Sequence, residues 1–275
     1  VVKLIELRVG GAGGVHLVDG QHNGLFRAQK HIGHLLIGGG HTGADLGDEH
    51  DDVGRVNGEL RLLAHISGDE AMCRAFRSGE DFHTLTAARV FHVEPQDVTP
   101  EMRRRAKAVN FGVVYGISPF SLSQDIGVTV AEAKEYMDAY FARFRGVRDY
   151  QKEAVRHAKE LGYAETLFHR RRYLPELNVP ALRAFGERVA LNMPIQGTAA
   201  DIIKAAMVRV DARMHVEGLE AQLLLQVHDE LIVECPAEEA ETVKAILTEE
   251  MEHVVDYRVP LLVDAKIGAS WAEAH

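Results

Sequence analysis

An α+β fold is predicted, mostly helical with one small antiparallel sheet, from three features of the 275-residue sequence. Helix-start signals recur from residue 99 onward. Two apolar runs, 221–227 and 231–234, flank the charged turn His228-Asp229-Glu230 as the arms of a hairpin. A composition of 46% hydrophobic and 26% charged residues suits a chain with a well-buried core.

In chain order, Val2–Val9 has the apolar character of a short strand. Residues 59–65 read as a short apolar segment and 68–78 as a helix. Thr99-Pro100-Glu101 is a strong helix start, with a capping hydroxyl, a proline in the first turn and an acid near the positive helix end; that helix should run to about Tyr115-Gly116. Thr129 caps a helix over Val130–Arg143, and another follows at 147–161. Residues 162–174 look like a hairpin carrying Arg170-Arg171-Arg172. Helices are expected at 181–192 and 197–217, broken by Pro194. Pro236 should start a last helix, and 259–263 a last strand.

The chain changes character near residue 58. Residues 1–58 hold 14 of the 25 glycines and 6 of the 15 histidines, with no Pro, Ser, Tyr, Cys, Met or Trp. The glycine run at 10–14 offers a phosphate cradle and His31, His34 and His41 offer metal ligands, but no amphipathic helix pattern follows the run, as a phosphate loop needs. The segment is expected to be poorly ordered, or foreign to the rest of the chain.

Cys73 and Cys235 sit in no zinc-like spacing, which excludes a zinc framework and fits a reduced, cytoplasmic compartment. No apolar run approaches the roughly 18 residues of a membrane span, and the opening Val1-Val2-Lys3 starts no signal peptide. A net charge of −10 argues against nucleic acid as a partner, but the basic residues are clustered, and clusters outweigh totals.

Arg103, Lys107, Phe111 and Tyr115 recur every four residues, so they drift slowly along one helix face. The first three span about 12 Å at 1.5 Å per residue. Two cations followed by an aromatic suit a ligand with a polyphosphate at one end and a flat body at the other. A basic face whose aromatics belong to the core explains the same spacing. At the hairpin tip, apolar strands force the Asp229 carboxylate to the end of a rigid element, where it could hold a hard cation; a solvated turn explains the same residues. Together the two features suggest metal-assisted phosphoryl or nucleotidyl transfer.

The motifs then carry a resemblance. Arg103-x3-Lys107-x3-Phe111-Gly112-x2-Tyr115-Gly116 resembles motif B of family A DNA polymerases, and Gln226-Val227-His228-Asp229-Glu230 resembles their motif C. Arg188-x3-Asn192-x3-Gln196-Gly197-Thr198-Ala199-Ala200-Asp201 is similar to the palm segment that meets primer–template. Glu59-Leu60-Arg61-Leu62-Leu63-Ala64-His65 is similar to the second half of motif A, and Asp81-Phe82-His83 to the fingers site of the incoming triphosphate. The resemblance covers residues 59–275 and points to bacterial enzymes of the DNA polymerase I kind.

It implies helix-rich fingers and a partial palm of the right-hand fold, and template-directed transfer from a deoxynucleoside triphosphate to a primer 3′-OH in DNA replication and repair. Arg103, Lys107 and His83 would bind the triphosphate, with Phe111, Tyr115 and Glu59 shaping the nucleoside and sugar pocket. Asp229 would ligate metal beside Glu230, and Lys107 would share in catalysis with this pair. Arg188, Asn192, Gln196 and His228 would hold the DNA strands, and Arg170 and Arg171 would meet phosphates. Two Mg²⁺ ions, primer–template DNA and dNTP are the implied partners of a monomer, with no membrane.

Two departures stand out. Motif A should read D-Y-S-Q-I before Glu59, but Gly54, Arg55, Val56, Asn57 and Gly58 stand there, so Gly54 replaces the first metal-binding carboxylate. Asp51 and Asp52 are the stand-in carboxylates, and one aspartate rarely holds two ions about 3.5–4 Å apart. Residues 1–58 are thus expected to be a non-family segment, through a join or gene-model artefact near Gly58, and the missing palm strands should leave the Asp229 hairpin partly unpaired at a sheet edge. An inactive remnant that binds nucleotide or DNA weakly is the alternative to a working polymerase. His169 stands where the family has glycine before the arginine run.

Overall fold

The computed structural model describes residues 2–9 and 51–274. The glycine run at 10–14 and His31, His34 and His41 lie outside the described residues.

Strand β1 (Val2–Val9) opens the chain, as its apolar character predicts. Helix α1 (Asp51–Ser67) then takes in the segment expected to be short and apolar. Gly54 and Gly58 weaken the helical signal there, but burial of Leu60, Leu62, Leu63 and Ala64 outweighs their propensity. Helix α2 (Glu70–Arg77) is capped by Asp69, which accepts from Met72 N and also from Gly146 N at 2.8 Å, so one carboxylate ties two helix starts together. Helix α3 (Phe82–Val90), unannounced by the sequence pattern, is capped by Asp81 through His83 N.

The fingers helices follow their predicted caps. Helix α4 (Pro100–Val114) starts at Thr99, whose hydroxyl accepts from Met102 N, with Pro100 in the first turn. Helix α5 (Pro119–Ile126) ends at Gly127 in the left-handed conformation. Helix α6 (Val130–Arg143) has a reciprocal capping box between Thr129 and Glu132. Helix α7 (Arg145–Leu161) runs to Gly162, and the expected hairpin follows as β2 (Tyr163–Glu165) and β3 (Arg171–Tyr173).

Helix α8 (Arg183–Val216) is continuous through Pro194, which corrects the expected break. Pro in a helix interior costs about 3 kcal/mol, but buried residues on both sides, Ala190, Leu191, Ile195, Thr198, Ile202 and Ile203, hold the two halves in register. The Tyr150 hydroxyl donates to the Leu191 carbonyl in the turn before the proline.

Strands β4 (Gln222–Val227) and β5 (Glu230–Pro236) form the carboxylate hairpin. After a short 3-10 turn comes α9 (Ala240–Glu252). The last strand, β6 (Val263–Gly268), starts where the expected strand at 259–263 ends; Val259 and Leu261 instead bury their side chains in the core. A short helix, α10 (Trp271–Ala274), follows.

The main sheet has the order β4-β5-β1-β6, antiparallel throughout. Strand β1 lies between β5 and β6, with Leu7 opposite Leu231 and Ala265. The hairpin is therefore not left half-paired: β5 has neighbours on both sides, and only β4 is an edge. The residues before 59 supply the strand whose loss was expected. A continuous core runs from α1 through α2, α4, α8 and α9 to β5, and a smaller cluster of Ala158, Leu174, Leu177 and Ala190 seats the β2–β3 hairpin on α7 and α8.

Candidate nucleotide and nucleic-acid site

The fingers half of the site is built where α3 packs on α4. Arg103 Nε donates to Asp81 Oδ2 at 2.7 Å, and Thr84 donates to the same oxygen. Burial pushes the Asp81 carboxyl up, but these hydrogen bonds and the Arg103 charge outweigh it and hold its pKa at about 2. Asp81 thus caps α3 and fixes Arg103 with one side chain.

His83 is 1% exposed. Its Nδ1 lies 2.9 Å from Asn110 Nδ2, and Asn110 Oδ1 lies 3.0 Å from the Thr86 hydroxyl. A hydroxyl donating to Oδ1 leaves Nδ2 to donate to Nδ1, which puts the imidazole proton on Nε2. That Nε2 is buried and has no hydrogen-bond partner among the described residues. Burial lowers the pKa of His83 to about 4; Asp81 opposes this, and the charges of Arg103 and Lys107 reinforce it. The ring is neutral at pH 7 and offers a hydrogen-bond donor rather than a charge.

Further along α4, Lys107 is half-buried and Phe111 is 37% exposed. Phe111 and Tyr115 meet with ring centroids 4.5 Å apart. The Tyr115 hydroxyl donates to Glu59 Oε2 at 2.6 Å, and Glu59 is 5% exposed. The four-residue spacing read from the sequence is therefore one continuous face, with its cations half-open to solvent and its aromatics leading to a buried carboxylate.

Glu59 also joins this face to the palm. A cavity of about 230 Å³ is lined by Gly58, Glu59, Gln196, Gln226, His228 and Asp229 together with apolar residues of α8. The hairpin tip that presents Asp229 is a two-residue turn with His228 at φ +53°, and Gln226 Nε2 donates to the His228 carbonyl. Glu230, paired with Val227, begins β5.

The expected DNA-contacting residues divide. Gln196 and His228 meet at the cavity. Arg188 is exposed on α8, and Asn192 is half-buried with Oδ1 lacking a partner. Neither Arg188 nor Asn192 lines that cavity. Arg170 donates to the Gly197 carbonyl and pairs with Asp201 at 2.8 Å, while Arg171 pairs with Glu165 at 2.6 Å and lies over the Tyr163 ring. The Gln196–Asp201 stretch thereby docks the arginine hairpin. A Cβ on Gly197 would come within 2.6 Å of Thr166 Cγ2, Thr198 accepts from Leu167 N, and Asp201 holds Arg170.

Sequence reasoning did not single out Asn110 and Thr86, which set the His83 tautomer; Asn110 stands inside the motif, but only tertiary packing shows which ring it meets. Among the described residues no group of three or more His, Cys, Asp or Glu gathers as a metal-ligand set. With Gly54 at the motif A position, the residues present do not fit a pair of metal ions. The side chains of Asp51 and Asp52, in the first turn of α1, lie outside the described part. No described helix is long and apolar enough to cross a membrane.

Comparison with known proteins agrees with this geometry. The chain is 53% identical over 218 residues to DNA polymerase I of Geobacillus stearothermophilus, and equally so to that of Bacillus subtilis. In both cases the match covers 78% of this chain and 25% of the relative, so the chain spans about a quarter of their length. Its fold is similar to the POL domain of Pol1 from M. smegmatis, a structure in complex with DNA primer-template and dNTP. The TM-score is 0.78 at 37% identity, over 99% of this chain and 41% of that one. The family model for DNA polymerase family A matches residues 56–273. By motifs, fold and family model together, the chain belongs to DNA polymerase family A.

Proposed function

We propose that this chain is the nucleotide- and DNA-holding part of a template-directed DNA polymerase, and that in this sequence binding is separated from nucleotidyl transfer. The observation that carries the reading is the fingers cluster: a neutral His83 with an unpartnered buried Nε2–H, next to Arg103 and Lys107. A buried donor left unsatisfied costs about 1–3 kcal/mol. An incoming phosphate oxygen would relieve that cost, and the two cations would neutralise the rest of the polyphosphate. Phe111 would pack against the nucleoside, and Glu59, held by Tyr115, would close the pocket beside the sugar. Gln196 and His228 at the palm cavity, with Arg188, Asn192, Arg170 and Arg171 around it, would meet the primer–template. The deoxynucleoside triphosphate bound on the Pol1 neighbour supports this ligand class.

Mg²⁺ is the metal this family would use, and Asp229 with Glu230 is the carboxylate pair this chain retains. Gly54 removes the opposing ligand, so no transfer step is assigned here. The test pairs two measurements on the 275-residue protein. A fluorescent dNTP analogue should bind in a salt-sensitive way that depends on Lys107, and primer extension with magnesium should give no product. Absence of nucleotide binding would overturn the binding half. Templated extension lost on Asp229→Ala would overturn the separation.

A further inference from the structure

A second cavity, of about 550 Å³, opens among α2, α3 and α6 and shares no lining residue with the palm cavity. Arg74 and Arg77 of α2, Arg89 of α3 and Arg143 at the end of α6 form its rim, and Ala71, Ala75, Leu85 and Phe144 form an apolar floor. All four arginines are exposed, and the Arg143 guanidinium lies 5.6 Å from the Phe144 ring centroid. The only carboxylate among the lining residues is Glu80, and Glu70 lies 3.6 Å from Arg77. Arg74, Arg89 and Arg143 enter no ion pair among the described residues. In a chain of net charge −10, four guanidinium groups around one hollow repel one another without matching carboxylates.

The hollow is not the triphosphate site. At 100° per residue, Leu85 and Arg89 stand about 200° and 240° round α3 from His83, which faces α4. Guanidinium forks match phosphate oxygens two at a time, which lysines do not. The volume exceeds that of a single phosphate, and the apolar floor gives a base face something to pack on. A cationic rim over an apolar floor is the chemistry that holds single strands without reading their sequence.

We propose that this cavity binds a short run of single-stranded DNA through its phosphodiester backbone. The inference rests on the DNA-binding reading above. It is tested with fluorescein-labelled dT12 added to the protein already saturated with an unlabelled hairpin primer–template. Arg89→Glu/Arg143→Glu should weaken dT12 binding about tenfold and reduce its salt slope by about 1, with hairpin affinity unchanged. Arg89→Gln/Arg143→Gln, a gentler change, should show the same direction. Unchanged dT12 affinity overturns the proposal, as does an equal loss of hairpin affinity. If inorganic tripolyphosphate binds the parent and not the variant while dT12 is indifferent, the site takes a free polyphosphate and the proposal fails. Failure of the parent to bind the hairpin at all would overturn the DNA-binding reading itself.

Discussion

Lowering the pH from 7.5 to 5 should destabilise this protein through His83 in a way that can be worked out. In the unfolded chain an imidazole titrates near 6.5; in the fold, burial against Asn110 holds His83 at about 4. Between those values the unfolded state binds the proton and the folded state does not, so stability falls as pH falls from 6.5 toward 4. The two values give a loss of about 2 kcal/mol at pH 5. Asp81 does not blur this window: its pKa is depressed to about 2, so its contribution is full above about 3.8 and is lost only below that. His65, also lowered, by burial and then by the Arg258 charge, adds a slope of the same sign. Comparing the parent with His83→Gln cancels it. Urea unfolding of both proteins at pH 7.5 and 5 should show the parent losing about 2 kcal/mol more than the variant. Equal losses would refute the claim that His83 is buried neutral, and with it the tautomer argument for a phosphate donor.

Lys107→Ala should weaken binding of a fluorescent dNTP analogue about tenfold or more and flatten its salt dependence, measured by titration at two ionic strengths. His169 adopts φ +64° and donates its backbone N–H to Thr166. His169→Gly should therefore raise stability by about 0.5–1 kcal/mol in urea unfolding, through relief of left-handed strain. Tyr115→Phe removes a 2.6 Å hydrogen bond to the buried Glu59 and should cost about 1.5–3 kcal/mol in the same assay. Gly54→Asp alone should yield no more than trace primer extension, because residue 54 lies inside α1 and a second metal needs a carboxylate held in fixed geometry against Asp229.

Local signals made much of this fold legible. Thr99 and Thr129 announced their helices because a capping hydroxyl acts within three residues, and the Asp229 hairpin was visible because two apolar runs flanked a charged pair. Pro194 misled, since local propensity says break while the packing of Ile195 and Thr198 into the core says continue. Helix α1 was hidden for the mirror-image reason, with glycines at 54 and 58 overridden by the buried Leu60–Ala64 face. In the site, the face from Arg103 to Tyr115 followed from spacing alone. The neutral state of His83 did not, because Asn110 and Thr86 come from different helices. Nor did the arginine-rimmed cavity, whose four cations are drawn from three helices and form no linear motif.

The place of β1 has a consequence for how the chain folds. Val2 pairs with Pro236, and Val9 with Val263, so the two central seams of the sheet join residues separated by almost the whole sequence. The β4–β5 hairpin can form as soon as its turn is made, whereas β1 must wait for the C-terminal third before either of its neighbours exists. Closing so large a loop carries an entropic penalty before any pairing compensates it. Assembly of the sheet is thus a late, concerted event, in which the first residues translated are among the last to find their partners.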